Sequence, residues 1–312
     1  MSVITRLYAC GGLGTNLGQQ VESDVFGRCY IDTSESNRTA GIPTEACHYI
    51  EGLDGSGKNR RENYTPISRE VDLILDRFEP SDFNVVLFSA AGGSGSVIGP
   101  LLIKSLLEAE QAVVAVVVGS DDSSIAVTNT VNTLKSLEAI SVNVEQPVIM
   151  AYHENTTGTS REMTDTDVLY TMESLGELTS QNNHELDTRD LVNWVQYQKV
   201  APLQPQLSAL AVFDNRRDAS GQVEPIAIAS LYNDSRKDTP FGTPYYTTTG
   251  YPRDDMAMAE QLHFVINTAD VEDAFTHLSE RQEELSKAYK SYRQRRQRVD
   301  IDDDMTAEGL VI

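Results

Sequence analysis

Positive charge is scarce in this sequence. Its 312 residues carry 25 Lys and Arg against 47 Asp and Glu, a formal net charge of −22. A surface that acidic repels phosphate backbones and anionic lipid, which disfavours nucleic acid and membrane as partners. Cysteine is nearly absent as well. Cys10, Cys29 and Cys47 form an odd set without CxxC spacing, which argues against a disulfide framework and fits a reducing cytoplasm. The five histidines, His48, His153, His184, His263 and His277, stand at no ligand spacing, so no metal site built from protein ligands alone is expected. No apolar run is long enough to cross a bilayer. The opening MSVITRLYACGGLG lacks a basic region and a small-residue cleavage site, and is expected to be a first strand and not a signal peptide.

What is present alternates between strands and helices. Apolar segments at 4–9, 28–32, 84–90, 112–119 and 146–153 read as strands, with a further segment at 46–51. Between them, helical spacing covers about 15–25, 66–78 with Pro66 at its start, 97–110 and 129–140. Strands apolar on both faces, separated by helices, predict a parallel sheet covered on both sides. Ligands in such sheets bind at the carboxyl ends of the strands. Three glycine loops fall there, at 10–16, 52–60 and 91–96. Beyond a polar stretch at 156–166, the pattern predicts helices at 165–178, capped by a Thr or Asp, and 188–200. Strands at 206–214, 223–232 and 261–268 then suggest a smaller mixed sheet, followed by one long exposed helix over 271–298.

The richest loop is Ala91-Gly92-Gly93-Ser94-Gly95-Ser96, between a buried strand and a helix. Its glycines let main-chain N–H groups approach phosphates, and the helix dipole favours negative charge at the same point. Gly11-Gly12-Leu13-Gly14 follows the first strand similarly. With Asp32 at the end of the next strand, it leaves an NAD(P)-dependent oxidoreductase open, although Gly12-x-Gly14-x-x-x-Gly18 departs from the dinucleotide fingerprint. Gly52 to Asn59 is a near match for a P-loop, which leaves a P-loop NTPase open. Asn59 stands where the magnesium-binding Ser or Thr belongs, and RRENYTP is a poor start for the helix that should follow.

Taken together, the three loops resemble the nucleotide site of the tubulin/FtsZ superfamily, whose signature GGGTGS or GGGTGT is matched by AGGSGS at 91–96. DTDVLY at 165–170 resembles the start of the tubulin central helix, with Thr166 and Asp167 at the base-binding pair. HELDTRD at 184–190 resembles the catalytic loop, with Asp187 and Asp190 at its acids. NTVNTLKSLE, QPVIMAYHE, PQLSALAVF, QLHFVINTADVE and the ending DIDDDMTAEGLVI look most like the phage tubulins of the PhuZ family.

The resemblance implies a Rossmann-like α/β GTP-binding domain (1–163), a central helix (164–181) and an activation domain with the catalytic loop at its start (182–270). A C-terminal helix (271–299) and an acidic tail (300–312) complete it. It implies GTP and GDP with Mg2+ as ligands, held by Gly12, Leu13, Gly14, Thr15, Asn16, Gly55, Gly57, Asn59, Arg60, Gly92, Gly93, Ser94, Gly95, Ser96, Thr166 and Asp167. It implies self-assembly in the cytoplasm of a phage-infected bacterium, with hydrolysis completed by Asp187 and Asp190 on the next subunit. The tail, through Asp302, Asp303, Asp304 and Leu310, would contact a neighbouring subunit. Read from the residues alone, Asp187 and Asp190 are better explained as an N-cap and a first-turn acid of helix 188–200.

Overall fold

The computed structural model describes residues 5–180, 183–233, 241–252 and 261–297. The tail residues Asp302, Asp303, Asp304 and Leu310 lie outside them. The strands are β1 (Thr5–Cys10), β2 (Phe26–Asp32), β3 (Cys47–Tyr49), β4 (Phe83–Ser89), β5 (Val113–Ser120) and β6 (Val148–Asn155). They continue with β7 (Asn183–His184), β8 (Leu207–Phe213), β9 (Ala227–Leu231), β10 (Tyr246–Pro252) and β11 (Leu262–Asn267). The helices are α1 (Gly11–Gly18), α2 (Arg60–Arg77), α3 (Gly95–Glu108), α4 (Ser124–Val144) and α5 (Arg161–Thr179). Beyond them lie α6 (Thr188–Val195), α7 (Arg216–Ser220) and α8 (Ala269–Gln297).

Strand order is β3-β2-β1-β4-β5-β6-β8-β11-β9-β10-β7. From β3 to β8 every pairing is parallel, and β11 runs antiparallel to both β8 and β9. The later strands therefore do not form a separate sheet. They extend the first one through β6 and β8, where Val148 to Met150 pair with Leu207 to Ala209. Alternating side chains supply two cores. Tyr8, Val86, Phe88, Ala115 and Val117 face α2, α3, α4 and α8, and Leu7, Val85, Leu87, Val114 and Val116 face α1, α5 and α6. This alternation is what a parallel sheet covered on both faces requires.

Helix boundaries differ from expectation at instructive points. α1 begins at Gly11, inside the glycine loop, and ends at Gly18. α2 begins at Arg60 because Asn59 accepts a hydrogen bond from Glu62 N (3.3 Å), so RRENYTP does start a helix. Pro66 sits inside α2 and removes one i→i−4 bond. α5 begins at Arg161, capped by Ser160 and not by a Thr or Asp. α6 stops at Val195, followed by a short 3-10 turn at Tyr197–Lys199. The long last helix is not fully exposed: Val271 and Leu278 are buried in the core, with Phe275 and Leu285 against it.

Candidate functional site

The carboxyl ends of β1, β2 and β4 open onto a chamber of about 600 Å³. Gly11, Gly12, Leu13, Gly55, Gly57, Gly92, Gly93, Ser94 and Gly95 line it, with Asp32, Thr33, Asp54, Ser56 and Lys58. The glycines are required by contact. Gly11 has φ +71°, and a Cβ there would lie 2.7 Å from Gly95 N. A Cβ on Gly93 would land on the Ser56 hydroxyl. Backbones approach this closely only where side chains are missing.

Two helices begin at this chamber, α1 behind Cys10 and α3 behind Ser94, and neither has a side-chain cap on its first N–H groups. α2, α4, α5 and α6 are all capped, by Asn59, Ser123, Ser160 and Asp187. N-terminal donors without a side-chain cap and two helix dipoles aimed into a glycine-lined space suit an anion.

Side chains hold the loops in place. Asn129 Nδ2 donates to Lys58 O (3.1 Å), Ala91 O (3.2 Å) and Gly92 O (3.4 Å), which ties the middle loop to the third. Thr133 Oγ1 donates to Ala90 O (3.0 Å), and Ser96 Oγ to Gly92 O (2.7 Å). The Thr33 and Ser94 hydroxyls lie 2.8 Å apart. Asp32, 3 % exposed, accepts from Thr33 N (2.7 Å) and Asn37 Nδ2 (3.1 Å). Burial pushes its pKa up while those donors pull it back. Asp32 thus braces the loop around Asn37.

A second chamber of about 440 Å³ adjoins the first and shares Gly12, Leu13, Asn37, Lys58 and Gly92 with it. Its farther wall carries Asn16, Gln20, Ser120, Asp122, Asn155, Arg161 and Asp165. Burial lifts the Asp165 pKa, and Arg161 opposes that shift. Asn155 Oδ1 is buried without a hydrogen-bond partner among the described residues.

Some expected residues stand elsewhere. Gly14 and Thr15 are buried behind the chambers, where a Cβ on Gly14 would meet Leu87 O at 2.5 Å. Ser96 lines a third cavity of about 1090 Å³ between α2, α3 and α4. Asn59 and Arg60, expected on the phosphates, also line that cavity. Arg60 Nη2 donates to Ser96 O (3.2 Å), Arg60 Nε has no partner among the described residues, and burial lowers its pKa. Thr166 and Asp167 are exposed on the far side of α5. Thr166 Oγ1 is bonded to Glu162 O (2.8 Å), and Asp167 lines a cleft against β6 and β8. Asp165 and Arg161, one turn apart on α5, line the second chamber instead.

Asp187 and Asp190 form a capping box at the start of α6. Asp187 Oδ1 accepts from Arg189 N (2.8 Å) and Asp190 N (3.0 Å), and Asp190 Oδ2 accepts from Asp187 N (3.2 Å). Tyr246 Oη donates to Asp190 Oδ1 at 3.1 Å. Neither aspartate lines either chamber of its own chain.

Comparison with known proteins gives a consistent answer. The family described as phage tubulin-like protein, C-terminal domain, matches residues 186–271. A phage tubulin-like protein of Pseudomonas phage PhiPA3 is 38% identical over 315 residues, covering 99% of each chain. A solved protofilament of TubZ from bacteriophage PhiKZ superposes with a TM-score of 0.90 at 35% identity, covering 100% of both chains. The structure of the phage tubulin PhuZ with GDP gives 0.88 at 30% identity, covering 99% of this chain and 100% of the other.

Proposed function

The chain belongs to the phage tubulin-like proteins, and on that premise we propose that it binds GTP and hydrolyses it while assembling into filaments. One observation carries the reading. The two uncapped helix N-termini, of α1 and α3, converge on the glycine-lined chamber. That chamber suits a chain of phosphates, and the adjoining one suits a base and its ribose. The relatives solved as a protofilament and with GDP support both halves of the reading. Asp54 and Ser34 are the oxygen ligands the chamber offers magnesium, beside the phosphates themselves. Magnesium bound there would neutralise charge on the phosphate oxygens.

Base choice follows from Asp165. A carboxylate only accepts hydrogen bonds. Guanine offers N–H donors on its Watson–Crick edge at N1 and N2, whereas adenine presents a bare nitrogen at N1 that a carboxylate repels. GTP should therefore displace bound GDP far more effectively than ATP does. Asp165→Ala should weaken GTP binding about tenfold or more, the scale of hydrogen bonds to a charged group, and leave ATP binding the same or tighter. Competition titration decides it, and equal affinity of the wild type for ATP would sink the guanine assignment.

Hydrolysis forms a bond from water to the γ-phosphorus and breaks its bond to the leaving GDP oxygen. A carboxylate must orient that water, and none of the chamber's own acids is free for it: Asp32 is bonded as a brace, and Asp54 is assigned to magnesium. We assign the task to Asp187 and Asp190 of the next subunit, so that turnover requires a longitudinal contact. The division into a nucleotide-binding part (1–163), central helix (164–181) and activation part (182–270) fits this, and the match at 186–271 supports its last boundary. The cationic cavity between α2, α3 and α4, with Lys58, Arg60, Arg61 and Lys104, is the acceptor we assign to a neighbour's acidic tail. In the infected cell, the filament would position the phage genome compartment within the host cytoplasm.

A further inference from the structure

Adjacent residues at the end of β5 face opposite ways. Asp122 turns toward α5, with Oδ2 3.5 Å from Arg161 Nη2, and both residues line the base chamber. Asp121, 4 % exposed, turns toward α8. Arg281 Nε donates to Asp121 O at 3.3 Å and lies 3.8 Å from Asp121 Oδ2. The end of β6 repeats the pattern. Asn155 lines the base chamber, while Glu154 accepts from Tyr152 Oη at 3.1 Å and stands 3.1 Å from His277 Nδ1 on α8. One backbone bond, Asp121 N to Asn155 O at 3.0 Å, joins the two strand ends.

This arrangement is incompletely satisfied. Asp121 Oδ1 and Asn155 Oδ1 are both buried without a partner among the described residues. The Arg281–Asp121 pair is long for an ion pair on so buried a carboxylate. An unsatisfied buried acceptor carries a desolvation penalty, and because the orphaned Asp121 Oδ1 is not the oxygen facing Arg281, a turn of the carboxylate or a shift of α8 is what would give it a donor. One such acceptor belongs to a residue that lines the base chamber and the other to a residue paired with α8.

We propose that the ends of β5 and β6 form a two-sided clasp, through which occupancy of the base chamber and the seating of α8 stabilise each other. The proposal rests on the reading of the chambers as a nucleotide site. A ligand that orders Arg161, Asp122 and Asn155 fixes the backbone from which Asp121 and Glu154 reach α8. By thermodynamic reciprocity, loosening α8 at Arg281 must weaken the ligand by the same factor. Asp121 and Arg281 are positioning residues here. They touch no substrate and act through the strand ends.

GDP tests the clasp on the full chain, at concentrations below assembly. Titration with a fluorescent GDP gives affinity, and hydrogen exchange of amides 275–287 reports the seating of α8. In the wild type, saturating GDP should slow exchange there several-fold. Arg281→Gln and the isosteric Asp121→Asn should each lower GDP affinity three- to tenfold and remove the slowing. His48→Gln, which breaks the remote His48–Glu70 pair, should change neither. If GDP fails to bind the wild type, the nucleotide reading itself falls. If GDP binds while exchange across 275–287 stays the same, or if both clasp variants bind GDP as the wild type does, the clasp is overturned.

Discussion

Asp187 and Asp190 have a structural role in the capping box and, in our proposal, a water-orienting one on the same pair of carboxylates. Their capping box holds the start of α6, and Tyr246 fixes Asp190 from β10. The residues alone favour the structural reading, and the family resemblance favours the catalytic one. The geometry shows the first and leaves the acids outside their own chain's chambers. Substitution separates the roles. Asp190→Asn keeps a side-chain oxygen for Asp187 N, and Asp190→Ala removes it at a cost of about 1 kcal/mol, the scale of a lost cap. Both variants should assemble with GTP, and both should lose hydrolysis, so their filaments should persist longer than wild type. Wild-type phosphate release by the Asn variant would refute the water-orienting role. Residue-scale legibility was uneven. The glycines were plain in the sequence because main-chain approach needs them. Thr166 and Asp167 look like the family pair, yet the turn of α5 leaves them outside the second chamber and puts Asp165 and Arg161 on its wall. Ser160, the cap that sets this facing, was the available signal.

At the scale of elements, the strand–helix alternation predicted the parallel half of the sheet, since buried apolar runs leave little choice there. Helix starts were harder to read. α1 and α3 begin within glycine loops, where ordinary propensity predicts turns, and α2 begins at Arg60, capped by Asn59, well ahead of Pro66. β10 and α7 went unread. β10, YTTTGYP over Tyr246–Pro252, has too little apolar alternation to declare itself. Asn129 shows how much one helix residue does for the loops, because its amide alone bonds both the second and the third. Asn129→Ala leaves those carbonyls to find other donors, at a cost of about 1–3 kcal/mol. The chain should still fold, and GTP affinity should fall about tenfold or more in a fluorescent nucleotide titration. Unchanged affinity would show that the loops hold their form without it.

For the whole molecule, one sheet runs through both halves of the chain, so the glycine chamber and the α6 acids are carried on a continuous frame. The sequence predicted a second, smaller sheet because it could not reveal that β6 and β8 pair directly. The proposed tail contact belongs to this scale. Deleting 300–312 removes Asp300, Asp302, Asp303, Asp304 and Glu308 with the apolar Leu310, Val311 and Ile312. Exposed ion pairs contribute about 0–1 kcal/mol each and are screened by salt. Several acting together should raise the critical concentration tenfold or more in sedimentation, with monomer nucleotide binding intact. Equal critical concentrations at low salt would reduce the tail to a solvated appendage. The central claim is that the chain completes its active site only by meeting another copy of itself. The direct test is GTP turnover per subunit across a protein concentration series that spans assembly. The account predicts almost no turnover below the critical concentration and a steep rise above it, in step with the sedimented polymer. A turnover per subunit that is constant across the series would contradict it.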